Sequence, residues 1–252
     1  MAAARRTALV TGASYGVGAA TALALARDGF DVAVTATKIE NLAATVKALE
    51  AAGARVVPVV LDLSVEASIA KATAEIVAAF GRLHALVNNA GANVRKRATE
   101  VTAQEWDAVM AVNVRGTFFL TQQVGRHLIA AGEGGCIVNI ASTHGLVGAA
   151  ERSTYGISKA ALIQMTRMLA VEWAEHGIRV NAVAPGRLDT PSPSRAATAG
   201  DRDYMDAMLK RIPLHRLASA EEVAAAVAYL VSPTAASMTG QVLVLDGGLT
   251  VA

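Results

Sequence analysis

The sequence predicts an α/β domain built on an open parallel sheet, and three observations carry that prediction. Short β-branched runs alternate along the chain with Ala/Leu-rich stretches, the pattern of strands joined by helical crossovers. Near the N-terminus, TALVTGASYGVG passes from a strand through glycines into a helix, the physics of dinucleotide binding. In the middle, CIVNI reads as a buried strand delivering Ser142 at its C-terminal end, and in an open α/β sheet that end faces the ligand crevice.

Composition sets the bounds. With 252 residues, 53% hydrophobic and 17% charged, the chain is expected to be globular and soluble with a generous core. A formal charge of +2 is too small to point to nucleic acid. The single cysteine, Cys136, excludes an intrachain disulfide and reads as a small buried hydrophobe, so a reducing cytoplasm is the expected location. MAAARR leads into TALVTG, which is too short for a signal h-region, and no run of about 18 apolar residues predicts a membrane span. Repeats, low-complexity segments and dividing linkers are missing from the pattern, so one domain over 1–252 is expected.

In the first strand-turn-helix unit, Gly12 permits the tight turn, Gly16 lets backbone approach a pyrophosphate, and Gly18 allows close packing against the helix. The spacing is G-x-x-x-G-x-G. A second strand, DVAVTAT, ends at Thr37, with a helix from about Ile39 to Ala52. A carboxylate at that strand end would hold the 2′-hydroxyl of NAD. Ala36, Thr37 and Lys38 stand there instead, with Lys38 either a phosphate contact or a surface charge.

VVPVVLDLS is a third strand reaching Asp62, which either bonds an adenine amino group or caps the helix starting near Val65. LHALVNNAGAN is a fourth strand running into Asn88, Asn89, Ala90 and Gly91, small residues against which a flat ligand can lie or, equally, turn residues. A long helical region from about Ala103 to Ala131 carries Asn113 in its middle, an indifferent place for asparagine. It satisfies a local irregularity or anchors a water chain. After the central strand and its helix, IRVNAVAPG is a further strand ending at Pro185-Gly186, followed by the loop RLDTPSPSRAATAGD; loops of this length tend to be functional or disordered. Helices at about Tyr204–Arg211 and Ser219–Leu230 precede the closing strand QVLVLDGG.

The chemistry concentrates between Cys136 and Lys159. Tyr155 and Lys159, four residues apart, fall on one helix face about a turn from each other. A phenol with a pKa of about 10 carries protons poorly at neutral pH. A neighbouring ammonium favours the phenolate and brings the group toward its working range. Ser142 is placed to hold a substrate oxygen beside the phenol.

On these residues the chain resembles the short-chain dehydrogenase/reductases over nearly its whole length. TGASYGVG looks like that family's cofactor loop, NNAG like its sheet-stabilising motif, Asn113 like its helix asparagine, Ser142 and Tyr155 to Lys159 like its catalytic set, and PGRLDT like its nicotinamide-side loop. The resemblance implies a doubly wound, seven-stranded parallel sheet with helices on both faces. It implies catalysis by Asn113, Ser142, Tyr155 and Lys159: Tyr155 as general acid or base, Lys159 holding the nicotinamide ribose and lowering the tyrosine pKa, Ser142 binding the reacting oxygen, and Asn113 ordering a water that leads to Lys159.

The cofactor contacts implied are Gly12, Ser14, Tyr15, Gly16, Val17 and Gly18 in the first loop, Thr37 and Lys38 after the second strand, and Asp62 and Leu63 after the third. Asn89, Ala90 and Gly91 follow, with Tyr155, Lys159, Pro185, Gly186, Leu188 and Thr190. NADP(H) is expected over NAD(H), although Tyr15 stands where NADP-preferring members often carry a basic residue. Metal is not required, and His84, His127, His176 and His215 lack ligand spacing.

The general resemblance is to 3-oxoacyl-carrier-protein reductases and gluconate dehydrogenases. Carrier-protein reductases usually carry basic residues before the central strand and near the end of the catalytic helix. Here those places read Gly132-Glu133-Gly134 and Glu175-His176, which argues against a carrier partner. A small keto or hydroxy acid of sugar-acid type is expected, met by Arg95, Ser142, His144, Tyr155 and Arg187, with residues 187–215 forming a substrate loop. Arg95 heads a basic run, Arg95-Lys96-Arg97, that is either a carboxylate fork or a solvated surface. A β-ketoacyl reductase and a catalytically silent cofactor sensor are the alternatives, and a homotetramer is expected from the resemblance.

Overall fold

Successive residues of each strand point to opposite faces, and both faces here are buried. Ala8, Val10, Val32 and Val34 join one apolar layer, while Leu9 and Ala33, between them, join the other. That double burial explains why the strands read as continuous apolar runs. In the computed structural model, which describes residues 5–189 and 207–252, they form one seven-stranded sheet.

The strands are β1 (Arg6–Val10), β2 (Phe30–Ala36), β3 (Val56–Val60), β4 (Ala85–Asn88), β5 (Gly135–Ile140), β6 (Ile178–Pro185) and β7 (Val242–Leu245). Their order is β3-β2-β1-β4-β5-β6-β7, with every pairing parallel. Strand order reverses between β1 and β4, the place where such sheets open a crevice at their C-terminal edge. Pro58 is tolerated because β3 is an edge strand.

Helices α1 (Gly16–Arg27), α2 (Ala43–Ala51) and α7 (Ala220–Val231) cover one face, and α3 (Glu66–Phe80), α5 (Thr117–Ala131) and α6 (Ser153–Glu172) cover the other. Fully buried Leu25 and Leu42 belong to the first layer, and Ile69, Ile76, Leu120 and Leu128 to the second; each such side chain contributes about 1.5–3 kcal/mol. Residues 207–211 are also helical. Among the described residues no helix is long and apolar enough to cross a membrane.

Two expected helices differ in detail. The stretch after β2 begins as a 3₁₀ turn, Ile39–Leu42, before α2. The long helix around Asn113 is three pieces: α4 (Ala103–Met110), a π-helical segment Ala111–Gly116, and α5. Asn113 therefore lies in a local irregularity, where the wider turn aims its side chain at the loop after β4. Gly116 is required there, since a Cβ would overlap the Leu63 carbonyl.

Candidate active site

The crevice between the ends of β1 and β4 is a cleft of about 480 Å³. Gly12, Ser14, Tyr15, Gly16 and Val17 form one wall, Thr37, Asp62 and Leu63 a second, and Asn89, Ala90 and Gly91 the floor. Gly12 and Gly16 take φ of 63° and 58°, conformations that favour glycine. A side chain at Gly12 would also reach within 2.8 Å of Ala90 Cα. Gly18 faces inward against the Gly12 carbonyl and the Asn89 amide, the packing role expected of it.

Helix α1 starts in this cleft without a side-chain cap at Tyr15, so its first N–H groups and positive dipole end can receive an anion. Asn89 Nδ2 donates to the carbonyls of Thr11 and Gly12, 2.9 Å to each. That fixes the glycine turn to the β4 loop. Asp62 accepts from Ser64 N at 2.9 Å and from its hydroxyl; helix α3 begins after Val65, with no side-chain cap. Of the two readings of Asp62, the helix cap is therefore excluded, and its carboxylate shapes a turn beside the cleft.

At the mouth of the cleft no carboxylate lines the end of β2. Thr37 lines it and Lys38 lies beside it, exposed. Sequence reasoning missed Asn41, which joins the lining through the 3₁₀ turn; the only signal was its place three residues after Lys38. These residues fit a nucleotide cofactor: a glycine cradle, an open helix N-terminus, and a mouth that offers donors to a 2′-phosphate.

The catalytic candidates converge beyond Gly91. Asn113 Oδ1 accepts from Ala92 N at 2.7 Å, and Nδ2 donates to Ala92 O and Ser158 Oγ, both 2.9 Å. Ser158 Oγ donates to the Tyr155 carbonyl at 2.7 Å. A Cβ on Gly91 would lie 3.3 Å from Asn113 Oδ1 and 3.6 Å from Lys159 Nζ, so this glycine is the threshold between cleft and cluster. Ser142 reaches α6 because the turn Thr143–Gly145 packs directly on it: a Cβ on Gly145 would come within 2.8 Å of the Lys159 backbone, and one on Gly156 within 2.8 Å of the His144 carbonyl. The His144 ring stands edge-on to the Tyr155 ring with centroids 6.1 Å apart.

The electrostatics correct one expectation. Burial pushes the Tyr155 phenol upward, opposed by its hydrogen bond with Ser142 and by the Arg152 charge. Lys159, predicted to lower it, lies 5.6 Å from the ring centroid and donates to Ile140 O at 2.7 Å. Its own pKa is lowered to about 8 by burial. Desolvation therefore outweighs the opposing contributions of Ser142 and Arg152 to the phenol in this arrangement.

The remaining candidates are spread along the rim. Gly186 packs against Asp246, 3.0 Å from a Cβ placed there, and Pro185 closes β6. Arg187 and Leu188 follow, half-buried, while Thr190 and most of the 187–215 loop lie outside the described residues. Arg95 is exposed, and its Nε pairs with Glu151 Oε2 at 2.8 Å. Glu151 itself takes a φ of 60°, and nothing in the sequence pattern announced it.

Residues 12–250 match a family model described as enoyl-(acyl carrier protein) reductase. A 3-oxoacyl-[acyl-carrier-protein] reductase of Thermotoga maritima is 37% identical, covering 98% of each chain. Cis-4-hydroxycyclohexanecarboxylate dehydrogenase of Sinomonas cyclohexanicum is 41% identical over 98% of this chain and 97% of its own. Among solved structures, a candidate 2-deoxy-D-gluconate 3-dehydrogenase from Agrobacterium tumefaciens with bound NADP superposes with a TM-score of 0.86 at 33% identity, covering 98% of this chain and 97% of that one.

Proposed function

The chain belongs to the short-chain dehydrogenase/reductase family, an oxidoreductase family, and from that premise we propose that it interconverts a ketone and a secondary alcohol with Tyr155 as general acid and base. The observation that carries this reading is the packing of the turn after Ser142 against α6, with the His144 ring edge-on to Tyr155, beside a glycine-floored cleft that leads to Lys159 and Asn113. The nicotinamide cofactor, when bound along that cleft, supplies or accepts the hydride at the substrate carbon.

The chain's own residues handle the oxygen and the proton. Ser142 donates a hydrogen bond to the substrate oxygen and fixes its position beside the phenol. Tyr155 gives its proton to that oxygen in reduction and takes it back in oxidation. Lys159, titrating near 8, exchanges protons close to neutrality, and a water held by Asn113 would connect it to solvent. Burial of the phenol keeps Tyr155 protonated until a proton is demanded.

NADP(H) is the preferred cofactor in this reading. The β2 end carries no carboxylate to repel a 2′-phosphate, Thr37, Lys38 and Asn41 stand at the mouth, and one structural relative holds NADP. The ratio of kcat/KM for NADPH and NADH is expected to exceed one, and a clear preference for NADH would contradict it.

The substrate is a small keto or hydroxy acid. Its support is the arginine-rich rim and two relatives named for a carboxylate and a sugar acid. A second reading, a β-ketoacyl reductase, draws on the carrier-protein names of the family model and one relative. Against it, Glu133 pairs with Arg82 and Glu175 is exposed, a poor match for an acidic carrier. An NAD(P)H oxidation screen over ketoacids, keto-sugar acids and β-ketoesters tests the proposal. Turnover of ketoacids is expected; turnover of β-ketoesters alone would favour the second reading, and none at all the silent sensor. A cytoplasmic setting suits the buried thiol of Cys136.

A further inference from the structure

The turn Thr143–Gly145 packs on α6 and carries one side chain that is both polar and accessible. Thr143 is buried, Gly145 has no side chain, and His144 is half-buried. His144 N donates to Ser142 Oγ at 3.2 Å, and the ring stands edge-on to the Tyr155 ring with centroids 6.1 Å apart. Neither ring nitrogen has a hydrogen-bond partner among the described residues. We infer that the His144 imidazole binds a hydroxyl on the carbon adjoining the reacting one, so that the substrate is an α-hydroxy ketone or the corresponding vicinal diol.

This rests on the reading that Ser142 and Tyr155 handle the reacting oxygen, and it goes further by naming the group beside that oxygen. The Ser142 hydroxyl, accepting from His144 N, keeps its proton for the reacting oxygen. Because the imidazole lies against the Tyr155 ring, the substrate atoms it meets are those next to the reacting carbon, not the far end of the molecule. The other polar groups of the cluster are already engaged: Lys159 Nζ on the Ile140 carbonyl, and the Asn113 amide on Ala92 and Ser158. Past the turn, exposed Leu146 and Val147 are apolar, so a polar contact on this wall falls to His144.

The chemistry of the ring selects a hydroxyl. Burial, and then the Arg152 charge, hold His144 below its ordinary pKa, so the imidazole is neutral at neutral pH. A neutral imidazole has one donor and one acceptor nitrogen. A hydroxyl is likewise both, so the two match in either tautomer. A carboxylate only accepts, and it gains no charge partner from this ring. A sugar acid or polyol, with a hydroxyl on each neighbouring carbon, meets this requirement, whereas a simple ketone does not.

The test compares two matched pairs of ketones, acetoin with 2-butanone and 4-hydroxy-5-oxohexanoate with 5-oxohexanoate. They are assayed with NADPH and NADH on wild type, His144→Phe, His144→Ala and His144→Asn. Each pair differs by one adjoining hydroxyl, and the ratio of kcat/KM within a pair, compared between proteins, cancels the intrinsic reactivities of the two ketones. His144→Phe, which keeps a ring against Tyr155, and His144→Ala should each lower that ratio by about 3- to 10-fold. His144→Asn retains a donor and an acceptor and should recover part of the loss. A general defect in folding or cofactor binding would lower both members of a pair together and leave the ratio where it was. A ratio unchanged in both His144→Phe and His144→Ala overturns the inference alone, as does a wild type that reduces other ketones and none of these four. A ratio that falls with the acetoin pair while neither acid is turned over supports the inference and overturns the acid reading. A wild type that reduces no ketone at all overturns the inference and the ketone reading together.

Discussion

At Lys159 burial and function pull in opposite directions. The side chain is 4% exposed, and its pKa is lowered from 10.5 to about 8 by loss of water. Between those values the unfolded chain binds a proton that the folded one resists, so stability falls as pH drops from 10.5 to 8, by roughly 3 kcal/mol. Lys159→Met removes this dependence, and the unfolding free-energy difference between wild type and variant should change across that window; a constant difference would contradict the buried ammonium. His84 behaves in the same sense at lower pH. Its Nδ1 accepts from Thr7 N at 3.0 Å, and burial, then Arg82 and Arg6, lower its pKa. Stability from this group is present above about 6.5, its unfolded value, and declines as pH falls below it. Thermal melts from pH 8 to 5 should show wild type losing more than His84→Gln, and parallel curves would refute the assignment. Residue spacing made Tyr155 and Lys159 legible, because four-residue separation fixes a shared helix face. The direction of the tyrosine shift was not, because desolvation depends on what packs around the ring. Arg95 was readable as a charge and not as half of an ion pair, since Glu151 lies 56 positions away.

At the scale of elements, strands and glycine turns announced themselves through apolar runs and G-x-x-x-G-x-G, and their ends fell close to the expected places. The π segment Ala111–Gly116 did not, because a single-turn i→i+5 insertion is too short to set a period of its own against the α-helices flanking it. Its cause is tertiary: Gly116 lies against the Leu63 carbonyl, and Asn113 against Ala92 and Ser158. Gly116→Ala should therefore destabilise the fold by about 1–3 kcal/mol through overpacking. It should also weaken cofactor binding, since Leu63 and Asp62 line the cleft. Denaturant unfolding and fluorescence titration with NADPH measure the two effects, and an unaltered cofactor Kd would separate the π segment from the cleft. Asn41 escaped notice for a similar reason, since a 3₁₀ turn, not the helix expected from Ile39, swings it to the cleft.

For the whole molecule, the surface carries apolar side chains that the subunit does not bury. Phe118, Ile157, Met168 and Val171 are exposed on α5 and α6, and Tyr229 and Val244 on α7 and β7. Such faces support the homotetramer proposed from the family, with one contact through the long helices and another through the C-terminal strand. Light scattering should give about four times the 25.9 kDa chain mass, and a concentration-independent monomer would remove the proposal. The parallel sheet was legible because the glycine loop, the NNAG turn and the Ser142 strand must share one edge for their chemistry to meet; oligomeric state was not, because buried and interface faces read alike in sequence. The account as a whole stands on Tyr155 as the group that moves the proton. Tyr155→Phe is expected to lower kcat by about 10²- to 10⁴-fold while the Kd for NADPH stays near that of wild type, and a variant retaining more than about a tenth of wild-type kcat would contradict it.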